Sequence, residues 1–206
     1  AGKRSREAGA ALRAAGYRNV HSVAGGTTRW IEAGLPVVRP RLDPDEADFL
    51  ERYSRHLRLP EVGVAGQRRL QQARVLLVGA GGLGSPAAYY LAAAGVGHLR
   101  IVDDDHVDRS NLQRQILHTE DAVGTPKVES AAARLRALNP RVRIEPVAAR
   151  VVSDNVEALL EGMDVVVDGS DNFATRYLVS DACVLAQRPL VTAALGAFDA
   201  TVTTIR

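Results

Sequence analysis

Apolar positions along this chain follow two alternating rhythms. Short runs rich in apolar residues, Val75 to Val78, Leu99 to Val102, Val142 to Val147, Met163 to Asp168 and Leu190 to Ala194, predict strands, and the unbroken run Val75 to Val78 has the pattern of one buried on both faces of a parallel sheet. A final run, Thr201 to Ile205, adds one more strand. Between the runs lie segments of helical character: the alanine-rich stretch Ser85 to Ala94, then Lys127 to Leu138, Asn155 to Leu160 and Asn172 to Gln187. Regular alternation of strand and helix predicts an α/β fold with a doubly wound sheet.

Ahead of the sheet the pattern is helical. Asp43-Pro44-Asp45-Glu46 combines an N-cap, a proline at the first helical position and a glutamate at the third, and predicts a helix running to about Leu57 that carries Arg55. A second amphipathic helix, Ala65 to Gln72, leads into the first strand. Farther upstream, Gly2-Lys3-Arg4-Ser5 begins a helical pattern and Asn19 to Val23 reads as a short strand. Gly25-Gly26 then precedes a brief helix containing Trp30, closed by Gly34-Leu35-Pro36-Val37. Arg39-Pro40-Arg41-Leu42 reads as a linker, so the expected division is 1–42 and 43–206. The first piece, about forty residues, buries too little surface to fold reliably alone.

Charge sharpens this division. Residues 1–42 hold eight Lys/Arg against two Asp/Glu, whereas the rest holds eighteen against twenty-two. The basic piece suits either a solvated helix face or attraction of an acidic protein partner. The single cysteine, Cys183, leaves no internal disulfide framework and fits a reducing cytoplasm. No apolar stretch nears the roughly eighteen residues of a membrane span, and no secretory leader is visible. The expected setting is cytoplasmic, with no membrane or nucleic-acid partner.

Chemistry concentrates at the ends of the predicted strands. Gly79, Gly81 and Gly84 follow the first strand with G-x-G-x-x-G spacing and open the alanine-rich helix. Glycines there allow a tight turn, close backbone approach to phosphate and helix-on-strand packing, and the helix N-terminus offers N–H groups to an anion. The second strand ends at Asp103, where a carboxylate can take ribose hydroxyls. A dinucleotide site leaves the next residues without a role: Asp105, Asn111, Gln113, Arg114 and Gln115 follow closely, and Lys127 opens the next helix behind Pro126. A compact triphosphate needs such cations and usually magnesium. The strand at Met163 to Val167 then ends in Asp168-Gly169-Ser170-Asp171-Asn172, supplying two more carboxylates. Of these, Asp171 is the better magnesium candidate and Asp168 a loop-holding residue. Asp104 reads as a spacer, Cys183 as a core residue, and the histidines have no metal-site spacing.

From about Arg52 to Arg206 the chain resembles the adenylating domain of the MoeB/ThiF family, related to the ubiquitin-activating enzymes. The likeness rests on RYSRHL (Arg52 to Leu57), GAGGLGS (Gly79 to Ser85), DDDHVDRSNLQRQ (Asp103 to Gln115), GTPKVE (Gly124 to Glu129), LNP (Leu138 to Pro140) and GSDN (Gly169 to Asn172). It implies a Rossmann-like doubly wound sheet that binds ATP and Mg2+. It also implies that Gly82 lies against the phosphates, with Gly79, Gly81 and Gly84 forming the turn, and that Asp103 binds ribose. Within Ser110-Asn111-Leu112-Gln113-Arg114, a nucleotide-binding segment by the same resemblance, Asn111 and Arg114 hold the triphosphate. Lys127 pairs with phosphate oxygens, and Asp171 binds magnesium with Asn172 beside it. Arg55 corresponds to an arginine reaching into a neighbouring subunit of a homodimer, although a structural salt bridge between subunits is the other reading.

The implied reaction is adenylation of the C-terminal Gly-Gly carboxylate of a ubiquitin-like sulfur-carrier protein, later converted to a thiocarboxylate. The molybdopterin branch is favoured, with the thiamine branch as the alternative. A nicotinamide oxidoreductase and a non-catalytic carrier-binding module are the readings from other classes. Residues 1–42 resemble the C-terminal end of a rhodanese sulfurtransferase domain, with Arg4 and Ser5 at the end of its active-site loop and the persulfide cysteine outside this sequence. The structural zinc of the family likewise has its cysteine ligands outside it.

Overall fold

The computed structural model describes residues 3–38 and 41–206. Gly2, the expected start of the first helix, and Arg39 and Pro40 of the expected linker lie outside the described residues. The chain divides into two compact units between Asp48 and Phe49.

In the first unit, helices α1 (Lys3–Ala14) and α2 (Gly26–Glu32) are joined by irregular chain. Gly25 and Gly26 turn the backbone at φ 83° and 64°, which favours glycine. The strand expected at Asn19 to Val23 does not form. The described residues of this unit hold no second strand, so an extended segment has no ladder partner for its N–H and C=O groups. Arg13 Nη2 instead donates to the Val20 carbonyl at 3.2 Å, and Trp30 Nε1 to that of Pro36 at 2.9 Å.

Helix α3 (Pro44–Arg52) starts as expected, with the Asp43 carboxylate accepting from the Asp45 N–H at 2.9 Å. It stops short of Leu57. Tyr53 is buried, tilted against Phe49 and hydrogen-bonded to Asn139 Nδ2 at 3.0 Å. The chain then tightens into a 3-10 turn, His56–Arg58. Arg55 therefore stands exposed on a turn rather than on the helix. Helix α4 (Gly63–Gln72) buries Gln67, which bridges His56 Nδ1 (2.8 Å) and the Ala94 carbonyl (2.7 Å).

The sheet comprises β1 (Arg74–Val78), β2 (His98–Val102), β3 (Arg143–Val147), β4 (Val165–Asp168), β5 (Leu190–Leu195) and β6 (Ala200–Ile205) in the order β3-β2-β1-β4-β5-β6. Every pairing is parallel except β5 with β6. Helices α5 (Gly84–Ala94), α6 (Lys127–Leu138), α7 (Val156–Leu160) and α8 (Phe173–Leu185) connect them. The unbroken apolar run of β1 is explained by two-sided burial. Val75 and Leu77 point to one core with Ala88, Ala92, Val128 and Leu135; Leu76 and Val78 point to the other with Leu159, Met163, Val179 and Cys183. Cutting a fully buried residue such as Leu77 to alanine removes about 2–5 kcal/mol. The strand order reverses between β1 and β4, which opens a crevice beyond their C-terminal ends. No helix among the described residues is long and apolar enough to cross a membrane.

Candidate functional site

The glycine turn occupies that crevice. Gly79 leaves β1 at φ 88° and donates its N–H to the Val102 carbonyl at 2.9 Å. A Cβ on Gly84 would come within 1.8 Å of the Gly79 carbonyl oxygen, so α5 packs on the turn only because this position lacks a side chain. Ala80 is pinned through both peptide groups. Its N–H donates to Asp103 Oδ2 at 2.8 Å, and its carbonyl accepts from buried His118 Nε2 at 2.9 Å and from Ser85 Oγ at 3.2 Å.

In front of the turn lies a cavity of about 700 Å3. Among the expected site residues, Gly79, Gly81, Gly82, Asp103, Arg114, Lys127, Asp171 and Asn172 line it. Gly84 stands behind the turn as a packing position, and Arg55 is outside the lining. Ser110, Asn111, Leu112 and Gln113 are also outside it, because the chain there coils into a 3-10 turn, Arg109–Asn111. The Asp108 carboxylate caps that turn, accepting from the N–H (2.8 Å) and hydroxyl (2.6 Å) of Ser110, and these donors hold its pKa below the usual value. The turn is the support from which Arg114 and Gln115 reach the cavity.

The charged groups fall into engaged and open ones. Asp103 spends Oδ2 on Ala80 and Oδ1 on the Asp105 N–H at 2.9 Å. Lys127 is 5% exposed, and its ammonium donates to Asp105 Oδ2 at 2.9 Å. Asp168, buried, accepts from Ser170 N–H, Ser170 Oγ and Thr192 Oγ1, so it holds the loop. Asp171 is exposed, has no hydrogen bond or ion pair with the described residues, and is the open carboxylate of that loop. Among the described residues, the Arg114 guanidinium donates to the Ser110 carbonyl alone, at 3.3 Å. Gln115 Oε1, buried at the wall, has no hydrogen-bond partner among the described residues. The loosely held Arg114 guanidinium, the Lys127 ammonium, the open Asp171 carboxylate and the glycine-lined floor fit a polyphosphate accompanied by magnesium. The sole cysteine, Cys183, is buried, and its thiol is pushed up to about 11 by burial and by nearby Asp168.

Two basic lining residues, Arg176 and Arg150, were not among the expected ones. Arg176 Nη2 donates to the carbonyls of Ser170 and Ala193, tying the end of β4 to β5. Its place one helical turn after Asn172 was the available signal. Arg150, after β3, is exposed at the opposite side of the cavity, and nothing in its sequence context marks it.

The model of the ThiF family matches residues 53–206. A sulfur carrier protein adenylyltransferase of Thermus thermophilus is 53% identical over 150 residues, covering 73% of this chain and 55% of the relative. The adenylyltransferase and sulfurtransferase MOCS3 of Anopheles gambiae is 55% identical over 144 residues, 70% of this chain and 33% of the relative. Among solved structures, the tRNA N6-threonylcarbamoyladenosine dehydratase TcdA of E. coli in complex with ATP has a TM-score of 0.66 at 34% identity, covering 69% of this chain and 58% of that one. The chain thus spans between a third and about three-fifths of the length of such relatives. With the matched region reaching from Tyr53 through the glycine turn, Asp103, Lys127 and Asp171 to the last strand, the chain belongs to the ThiF family.

Proposed function

We propose that this chain is the ATP-binding part of an adenylyltransferase that activates the C-terminal glycine carboxylate of a ubiquitin-like sulfur carrier. The observation that carries the proposal is the convergence of Arg114, buried Lys127 and unpaired Asp171 on one cavity floored by Gly81 and Gly82. The names of the relatives, one a sulfur carrier protein adenylyltransferase and the other an adenylyltransferase and sulfurtransferase, and an ATP complex of a structural neighbour support it.

In this reading Asp103 receives the ribose, Gly79 to Gly82 the phosphates, and Arg114 and Lys127 the charge that gathers on the departing oxygens. Asn111 assists through the turn beneath Arg114, and Asp171 holds magnesium with Asn172 beside it. Magnesium supplies charge neutralisation on the phosphates. A carboxylate oxygen of the carrier forms a bond to the α-phosphorus, the bond to the bridging oxygen breaks, and pyrophosphate leaves with the electron pair. The nucleophile is ionised near neutral pH, so no protein base is required. What the chain contributes is in-line positioning and electrostatic stabilisation.

The finer readings rest on the sequence resemblance. The carrier serves molybdopterin synthesis in preference to the thiamine pathway, residues 1–42 are the end of a rhodanese-like domain, and Arg55 completes the neighbouring site in a homodimer. The test is carrier-dependent exchange of pyrophosphate into ATP. Lys127→Ala and Asp171→Ala are each expected to lower it by about a hundredfold or more, and mixed dimers of Arg55→Ala with Lys127→Ala to regain part of it. Exchange that survives both single substitutions would sink the assignment; absence of rescue would remove Arg55 from it. Exchange with a molybdopterin carrier but not with a thiamine carrier separates the branches, and the reverse preference would overturn the choice made here.

A further inference from the structure

We infer that Asp105 is the resident counter-ion of Lys127, a positioning residue that keeps the ammonium charged and aimed into the cavity until a triphosphate takes it over. The inference rests on the proposed ATP site.

The pair is asymmetric. Its side chains are 6% and 69% exposed for Lys127 and Asp105, with 2.9 Å between Nζ and Oδ2. Burial alone disfavours a charged ammonium, whereas an opposite charge within hydrogen-bonding distance restores it. The cation therefore bears the desolvation, while the anion stays hydrated and is free to yield its place. Yielding leaves the backbone intact, because Asp105 is fixed by the main chain as well. The Lys127 N–H donates to the Asp105 carbonyl at 2.9 Å, and the flanking His106 and Pro126 form an antiparallel bridge. The Asp105 N–H is held in turn by Asp103 Oδ1. Two bridged segments thus bring together the carboxylate assigned to ribose, the counter-ion and the lysine assigned to phosphate.

The remaining charges around Lys127 do not replace Asp105. Asp103 is committed to two backbone N–H groups, Asp104 lies exposed beside Asp105 but makes no ion pair with Lys127, and Asp171 stands across the cavity on the β4 loop. His118, nearby and buried, is held toward its neutral form. Arg114, Arg150 and Arg176, which line the same cavity, would drive a proton off the ammonium rather than keep it there.

The sequence supplies a clean measurement, since Lys3 and Lys127 are its only lysines. In the 206-residue chain labelled with 13C-lysine, Asp105→Asn is expected to move the Lys127 side-chain NMR signal while the Lys3 signal stays in place as reference, and Asp105→Glu should restore the wild-type position. ATP affinity measured in magnesium should fall about tenfold in Asp105→Asn and be regained in Asp105→Glu. An unmoved Lys127 signal in Asp105→Asn overturns the counter-ion. A moved signal with wild-type ATP affinity leaves the pairing intact but contradicts its role toward the triphosphate. Wild-type protein that shows the pairing and binds no ATP refutes the proposed function instead.

Discussion

His118 shows how much of this site is held from behind. It is 4% exposed, donates from Nε2 to the Ala80 carbonyl at 2.9 Å, and faces Ser130 Oγ from Nδ1 at 3.0 Å. A neutral ring satisfies both contacts, with Ser130 as donor to Nδ1. Burial, with Lys127 adding to it, lowers its pKa despite the opposing pull of the Ala80 carbonyl and Asp103. The unfolded chain then binds a proton that the folded chain resists. The corresponding stability is complete above the unfolded value of about 6.5 and is lost as pH falls through the depressed folded value. Thermal unfolding should therefore show a wild-type Tm that drops more steeply from pH 7.5 to pH 5 than that of His118→Gln. Equal slopes would remove His118 from this role. At this scale the motif spacing identified Asp103, Arg114, Lys127 and Asp171, because strand ends are where such side chains can meet. The contacts of Asp105 with Lys127 and of His118 with Ala80 join segments 22 and 38 positions apart, and no local pattern encodes them.

The glycine turn separates packing from binding at the scale of an element. A Cβ at Gly84 would lie 1.8 Å from a backbone oxygen, which cannot move without shifting β1 or α5. A Cβ at Gly82 would meet only the Arg114 side chain, at 3.8 and 3.9 Å, an ordinary contact. Gly84→Ala is accordingly expected to cost at least about 1–3 kcal/mol in chemical denaturation. Gly82→Ala should unfold within about 0.5 kcal/mol of the wild type yet weaken ATP. The opposite ranking would show the turn to be misread. Helices and strands of the sheet were legible because two-sided burial and helical spacing are strong local signals. The end of α3 was not, since the burial of Tyr53 against Phe49 and Asn139 decides it, and Asn139 is 86 positions away from Tyr53. Asn19 to Val23 failed for a related reason: a strand is a relation between segments, and local apolarity does not supply the partner.

Across the whole molecule, the order β3-β2-β1-β4-β5-β6 fixes what lies beside what at the cavity. Asp103 leaves β2, the glycine turn leaves β1 and Asp171 follows β4, so these groups line the cavity in the order of the strands. Arg150 beyond β3 and Leu195 on β5 close the two ends. Alternation of elements made the doubly wound architecture readable, while the choice of ATP over a nicotinamide came from the residues after Asp103. The most direct measurement is calorimetric titration of ATP, in magnesium, into the wild-type chain and Lys127→Ala. Loss of a charge-assisted phosphate contact worth about 1.5–3 kcal/mol predicts saturable binding in the wild type, about ten- to a hundredfold weaker in the variant, and no displacement by NADH. Absence of ATP binding, equal affinities in the two proteins, or displacement by NADH would contradict the account.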